Sequence, residues 1–281
     1  MIQKSFRNEQ SSLYLVATPI GNLKELNSRI AETLQLVVVI FCEDTRVSKK
    51  ILQHFNIKKK LISLHQHNEK ERIDLVLQFL NNNQSVALLS DAGYPLISDP
   101  GYQLVQAVIA KEYNVVSISG SSALLNALVC SGLPPYPFSF WGFLDHKVGK
   151  LKQQVEQLKY RSESLIFYVG VHHLEKTLRV MKEILGNRDV CLARELTKMY
   201  ETIYRMPLND IINLDLTSLK GEFVLIVKGY EVVVDYRSLT IKDHIILVAK
   251  KQNITIKEAI KEVANMRNLP KSLVYQVYHQ D

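Results

Sequence analysis

The stretch SVALLSDAGYPLISDPG (85–101) decides the fold. Its first part, SVALLS (85–90), is a short apolar run without polar alternation, the pattern of a strand buried on both faces of a parallel sheet. Its second part, SDAGYPLISDPG (90–101), holds Gly93, Pro95, Pro100 and Gly101, which shape a tight loop whose backbone can approach a ligand closely. In an open α/β sheet, ligands bind beyond the carboxyl ends of the strands. A strand that runs straight into such a loop therefore marks both the architecture and the place to search for a site.

The same strand pattern recurs on either side, in LYLVA (13–17), VVVIF (37–41), LISL (61–64) and VVSIS (115–119). Between these runs lie amphipathic stretches such as NSRIAETLQL (27–36), RVSKKILQHF (46–55) and EKERIDLVLQFL (69–80). Strand, helix and strand at this spacing predict a parallel α/β domain over 12–120, with right-handed crossovers. The proline-rich GLPPYPF (132–138) then breaks the rhythm. A second set of strands follows in SFWGF (139–143), SLIFYV (164–169), DVCLAREL (189–196), ETIYRM (201–206) and GEFVLIVKG (221–229), with one helix over 171–185. Closely spaced strands need hairpins, so a mixed sheet is expected over 121–230. Beyond it, TIKDHIILVAKKQ, TIKEAIKEVANM and PKSLVYQVYH predict three short helices in a third domain, 236–281, resembling a helix-turn-helix or serving as a helical cap. Thr255 and Glu258 match a capping box there, and Pro270 suits the first turn of the last helix.

Composition sets the boundaries of function. An apolar fraction of 47% against 22% charged residues fits a globular chain with a full core. No run of 18 apolar residues occurs, so no membrane span is expected, and the polar start MIQKSFRNEQSS lacks a secretory h-region. A cytoplasmic protein is the expectation. Cys42, Cys130 and Cys191 are too few and too scattered for a disulfide framework. The net charge of +7 suits an anionic partner or plain solubility. Lys58, Lys59 and Lys60 form one basic run, and Lys147, Lys150, Lys152, Lys159 and Arg161 another.

Four loops at strand ends carry candidate chemistry: ATPIGNL (17–23), CEDTR (42–46), SDAGYPLISDPG (90–101) and SGSSAL (119–124). All four are expected on one edge of the first sheet. Asp91 can accept hydrogen bonds from ligand hydroxyls or an amino group, while Asp99, just before Pro100, reads as a helix cap. GSSAL can receive a carboxylate on outward backbone N–H groups, although capping by Ser121 explains the same residues. Glu43 and Asp44 offer carboxylates at a strand end, or pair with Arg46. HQHN (65–68) places two histidines on one strand face, but without a third ligand, and no metal is expected. The absence of GxGxxG, GxxxxGK[ST] and GxSxG removes the common dinucleotide, P-loop and α/β-hydrolase readings.

Together these loops resemble a known family. TPIGNL, CEDTR, HQHNE, SDAGYPLISDPG, SGLP, GFL, AREL followed by TK, and KGEFV stand in the order found in the ribosomal RNA small subunit methyltransferase I family of the tetrapyrrole methylase superfamily. The resemblance implies two α/β domains with S-adenosylmethionine in the cleft between them, a homodimer, and 2′-O-methylation of a cytidine of 16S rRNA at the decoding centre. It assigns the cofactor to Pro19, Asp91, Ala92, Gly93, Pro95, Ser98, Ser121, Ser122, Tyr168, Ala193, Gly221 and Glu222. The chain departs from the family pattern at VGVHHL (169–174), SGSSA (119–123), Tyr94 and FWGFLDHK (140–147).

A ribose hydroxyl is a poor nucleophile, so a side chain is expected to take its proton. Glu43, His65, His67, Glu195 and Lys198 are the candidates, with Glu43 and Glu195 placed first. Two other readings stay open: a methylase acting on a tetrapyrrole acceptor, and a non-catalytic RNA-binding protein that keeps the fold.

Overall fold

Strand β1 (Ser12–Val16) opens a repeating strand-helix path: α1 (Ser28–Leu36), β2 (Val39–Cys42), α2 (Thr45–His54), β3 (Lys60–Ser63), α3 (Glu69–Asn81), β4 (Val86–Leu89), α4 (Tyr102–Ala110), β5 (Asn114–Ile118) and α5 (Ala123–Cys130). A second series follows with β6 (Phe138–Phe143), α6 (Val148–Gln157), β7 (Ser164–Gly170), α7 (Leu174–Leu185), β8 (Asp189–Arg194), β9 (Thr202–Pro207), α8 (Leu208–Ile211) and β10 (Glu222–Val227). Three helices close the chain: α9 (Ile241–Gln252), α10 (Ile256–Arg267) and α11 (Lys271–His279). This computed structural model describes residues 2–5, 7, 10–216, 218–231 and 238–280. The expected start of a third domain at 236 lies outside the described residues.

The first sheet has the order β3-β2-β4-β1-β5, and every pair in it is parallel. The apolar run of β4 shows why. Val86 and Leu88 pack on one face with Val76, Leu80, Leu104 and Val108 of α3 and α4. Ala87 and Leu89 pack on the other with Ile30, Leu34, Ile51 and Leu52 of α1 and α2. A strand covered by helices on both sides has no solvent face, so polar alternation disappears.

The second sheet has the order β6-β7-β10-β8-β9, with β6 and β7 parallel and the remaining pairs antiparallel. One face carries Leu165, Phe167 and Leu225 against α6 and α7. The other joins Ile166, Ala193, Val224 and Ile226 to Ala127 and Leu128 of α5 and to Ile20 from the loop after β1. This second core is the seam where the two sheets meet, and burying it fixes the loops of the first sheet beneath the strands of the second.

The chain divides into two compact units, Met1–Tyr230 and Glu231–Asp281. In the second, α9, α10 and α11 enclose Ile245, Val248, Ile260, Val263 and Val274. Thr255 and Glu258 form the capping box in full. Pro270 stands at the N-cap of α11, one position before the helix, since the helical turn begins at Lys271. Among the described residues, no helix is long and apolar enough to cross a membrane.

Candidate active site

The loop 90–101 is the hub of the carboxyl rim of the first sheet. Thr18 N–H donates to the Gly93 carbonyl at 2.8 Å, and Gly93 N–H returns a bond to Thr18 at 3.0 Å. Asp91 Oδ1 accepts the backbone N–H of Asp44 at 3.1 Å, which ties in the loop after β2. The Tyr94 hydroxyl accepts the N–H of Gly120 at 3.2 Å, which ties in the loop after β5. Four loops expected on one edge are thus joined by named hydrogen bonds through one of them. Gly93 takes φ +73°, a conformation in which an L side chain is strained. At Gly120 a Cβ would lie 2.9 Å from that of Ala17, so the first and fifth loops can touch only through glycine.

The second sheet completes a cleft of about 410 Å³ over this rim. Of the twelve positions assigned to the cofactor, Asp91, Ala92, Gly93, Ser98, Ser122, Tyr168, Ala193, Gly221 and Glu222 line it. Pro19, Pro95 and Ser121 are outside the lining. Ser121 turns away because its hydroxyl bonds the Glu25 carboxylate. It does not cap α5: the N-cap is Ser122, whose side chain makes no capping bond, and the first-turn backbone of Leu124 bonds the Tyr168 hydroxyl instead. Ser122 and Ala123, at the start of that helix, line the wall of the cleft.

The reading of Asp99 as a helix cap is overturned. Helix α4 starts behind Gly101, at φ +124° with no side-chain bond from the cap residue. The amide of Leu104 is instead capped from α3 by buried Glu69 at 3.1 Å. The left-handed turn at Gly101 separates Asp99 from the helix and leaves its carboxyl lining the cleft. Burial, then the charges of Glu43 and Asp91, push that carboxyl up to about 7. Burial also raises Asp91, against the pull of the Asp44 amide.

Tyr168 stands on β7 with Phe140 and Phe143 edge-on to its ring, at centroid distances of 4.8 and 5.6 Å. Burial lifts its phenol above the ordinary value, offset in part by a backbone hydrogen bond at Leu124 and reinforced by Asp99. Lys198 Nζ donates to Glu195 Oε1 at 3.0 Å and to Glu222 Oε2 at 2.8 Å; of the three, Glu222 lines the cleft, and Glu195 and Lys198 are outside the lining. Glu195 Oε1 also accepts the Glu222 amide at 3.0 Å. Burial alone would raise Glu195, but that amide and Lys198 outweigh it and hold the carboxylate below its ordinary range. Gly21 and Gly221 give these side chains room; a Cβ at Gly21 would meet Lys198 Cγ at 2.5 Å. The trio links the loop after β8 to the start of β10.

The other expected bases are outside the lining too. Glu43 is exposed and outside the lining. Asp44, not Glu43, pairs with Arg46, at 2.6 Å, and caps α2. His65 and His67 follow β3 with ring centroids 5.9 Å apart, outside the lining, and the buried Nδ1 of His65 has no hydrogen-bond partner among the described residues. Among the described residues, no group of three His, Cys, Asp or Glu side chains is placed to hold a metal ion. The cleft residues that sequence reasoning does not single out as binding groups, notably Asp99, Tyr94, Phe143 and Leu196, carry no local motif of their own. Their one signal is a place inside longer motifs, SDAGYPLISDPG for Tyr94 and Asp99, GFL for Phe143 and AREL for Leu196.

Residues 12–212 match the family Tetrapyrrole (Corrin/Porphyrin) Methylases. Over 286 residues the chain is 41% identical to the Ribosomal RNA small subunit methyltransferase I of Bacillus subtilis (strain 168), covering 99% of this chain and 98% of that protein. The chain belongs to this family of tetrapyrrole methylases. It is therefore a methyltransferase, and the methyl donor of the family is S-adenosylmethionine. A member from Mycoplasma genitalium is 35% identical across 96% of this chain and 99% of its own. Two solved structures share the fold. Uroporphyrin-III-C-methyltransferase from Thermus thermophilus has a TM-score of 0.55 at 16% identity, over 78% of this chain and 94% of that one. Diphthine synthase reaches 0.59 at 14%, over 78% and 90%.

Proposed function

We propose that this chain transfers a methyl group from S-adenosylmethionine to the 2′-hydroxyl of a cytidine in 16S rRNA, at the decoding centre of the small ribosomal subunit. It would act as a cytoplasmic homodimer. One observation carries the reading: a loop that ties four strand ends into a single cleft, in a chain 41% identical over nearly its full length to a protein named for small-subunit rRNA methylation.

The residues present fit the donor. A cleft of about 410 Å³ lies within the range of ligand pockets, roughly 300–1,000 Å³. Asp91 and Glu222 suit a ligand with cationic groups and ribose hydroxyls. The start of α5, where Ser122 makes no capping bond and lines the cleft with Ala123, suits its carboxylate. Gly93 and Gly221 let the backbone come close where a side chain would intrude. When bound, the donor supplies an electrophilic methyl carbon on a sulfonium.

The protein supplies alignment and dryness. Ile20, Phe143, Leu196, Phe223 and Val224 give the cleft apolar walls that exclude water. Phe140 and Phe143 hold the Tyr168 ring in place, and Lys198 braces Glu195 and Glu222 across the rim. With its carboxylate engaged twice, Glu195 is a positioning residue and a poor proton acceptor.

Affinity for RNA would come from phosphate contacts. Lys59 is already committed, since its ammonium bonds the Gln35 and Val37 carbonyls at the end of α1. Lys150, Lys152, Lys159 and Arg161 each face a carboxylate. The exposed lysines 242, 250, 257, 261 and 271 of the C-terminal unit carry no ion pair among the described residues and are the better phosphate ligands.

The test uses small subunits from cells lacking this protein, isotopically labelled S-adenosylmethionine and mass spectrometry of the digested RNA. A single labelled 2′-O-methylcytidine is expected. Label on a base, or transfer to a precorrin acceptor with none to RNA, would remove the reading.

A further inference from the structure

We propose that Asp99 is the proton acceptor in methyl transfer, taking the hydrogen of the ribose hydroxyl. This deepens the function proposed above and rests on it.

Three acids line the cleft, and two of them are engaged. Asp91 Oδ1 holds the Asp44 amide, and Glu222 Oε2 holds Lys198. Asp99 lines the cleft and has no hydrogen bond and no ion pair among the described residues. Leu96, Ser98 and Gly101 on either side of it take positive φ values of +71°, +74° and +124°. Two non-glycine residues held in that region within three positions form a strained turn of the kind that clusters at functional sites.

The surroundings give the carboxylate its basicity. The titratable groups that act on it are Glu43 from the loop after β2 and Asp91 on its own loop, and its charge in turn acts on Tyr168 across the cleft. Burial and the two like charges place its proton affinity near neutrality, where a base is both ionised and strong enough to work. Glu195 is the opposite case, since a lysine and an amide bind its charge and weaken it as a base.

The step balances. The ribose O–H bond breaks while that oxygen forms a bond to the methyl carbon. The carbon–sulfur bond of the sulfonium donor breaks, and its electron pair stays on sulfur as a neutral thioether. The proton passes to Asp99 and then to water.

The experiment compares wild type, Asp99→Asn, Asp99→Glu and Glu43→Gln on unmethylated small subunits, in single turnovers at saturating donor across the pH range. Donor affinity is read by calorimetry, and the Asp99 carboxyl is titrated by carbon-13 NMR in the donor-free protein. The wild-type rate should rise with pH and level off above about 7, matching an NMR midpoint there. Asp99→Asn should lower the plateau about 100-fold or more and lose the acid limb. Its donor affinity should stay within about threefold of wild type. Asp99→Glu should recover part of the rate, and Glu43→Gln should move the limb to lower pH. A wild-type plateau in Asp99→Asn, or lost donor affinity with the plateau intact, would overturn the proposal. So would a Glu43→Gln plateau as low as that of Asp99→Asn, since the base would then be Glu43. Wild-type enzyme inactive on the small subunit would remove the functional reading itself, an outcome separate from these.

Discussion

Gly221 shows how much the site depends on single atoms. Its φ is +104°, and a Cβ there would lie 2.4 Å from Glu195 Oε1. Gly221→Ala must strain the backbone and displace Glu195 from Lys198 together. A loss of about 1–3 kcal/mol is expected in denaturant titration, with donor affinity falling roughly tenfold by calorimetry. Lys198→Met should cost about 1 kcal/mol, because it leaves Glu195 and Glu222 facing each other without a cation. Glu195 is held below its ordinary range, so its contribution is present above that range and is lost as pH falls through its lowered value. The gap between Lys198→Met and wild type should therefore close in acid. Asp99 carries the reverse sign. Its folded-state value of about 7 exceeds the ordinary 3.8, so the folded form keeps a proton that the unfolded chain has lost. Stability then falls as pH rises between those values, and Asp99→Asn should raise Tm at pH 8 and lose most of that gain at pH 4.

At the level of elements, the strands of the first sheet and their loops were legible because burial on both faces erases polar alternation and strand ends demand turn residues. LYLVA, VVVIF, LISL, SVALLS and VVSIS correspond to β1 through β5 within a residue or two. The capping box at Thr255 was equally legible, since its two partners stand three residues apart and need no tertiary contact. Thr255→Ala should destabilise the C-terminal unit by about 1 kcal/mol, measured as a shift in its urea midpoint. The start of α4 was not legible in the same way. Its cap comes from Glu69, 35 positions from the Leu104 amide it serves, so local spacing points to the nearer Asp99 instead.

For the whole molecule, the separation into two compact units makes a clean division of labour testable. A chain ending at Tyr230 keeps both sheets and every residue of the cleft. Calorimetry should find its donor affinity unchanged, while fluorescence anisotropy should find RNA binding weakened at least about tenfold. The slope of log affinity against log salt should drop by roughly 0.7–0.9 for each phosphate that the shortened chain no longer neutralises. Loss of donor binding in that truncation would mean that the helical unit supports the cleft.

The sequence by itself determined the alternation of strands and helices, the two kinds of sheet, and the loops that end at the cleft. Each of these follows from periodicity and turn chemistry within a dozen or so residues. Only the tertiary structure decided what the side chains in those loops do. It turned Ser121 toward Glu25, engaged Glu195 with Lys198, and left Asp99 open to the cavity. Such outcomes depend on which atoms from distant segments reach a shared space first, and on the burial and charge they meet there. No local pattern encodes that.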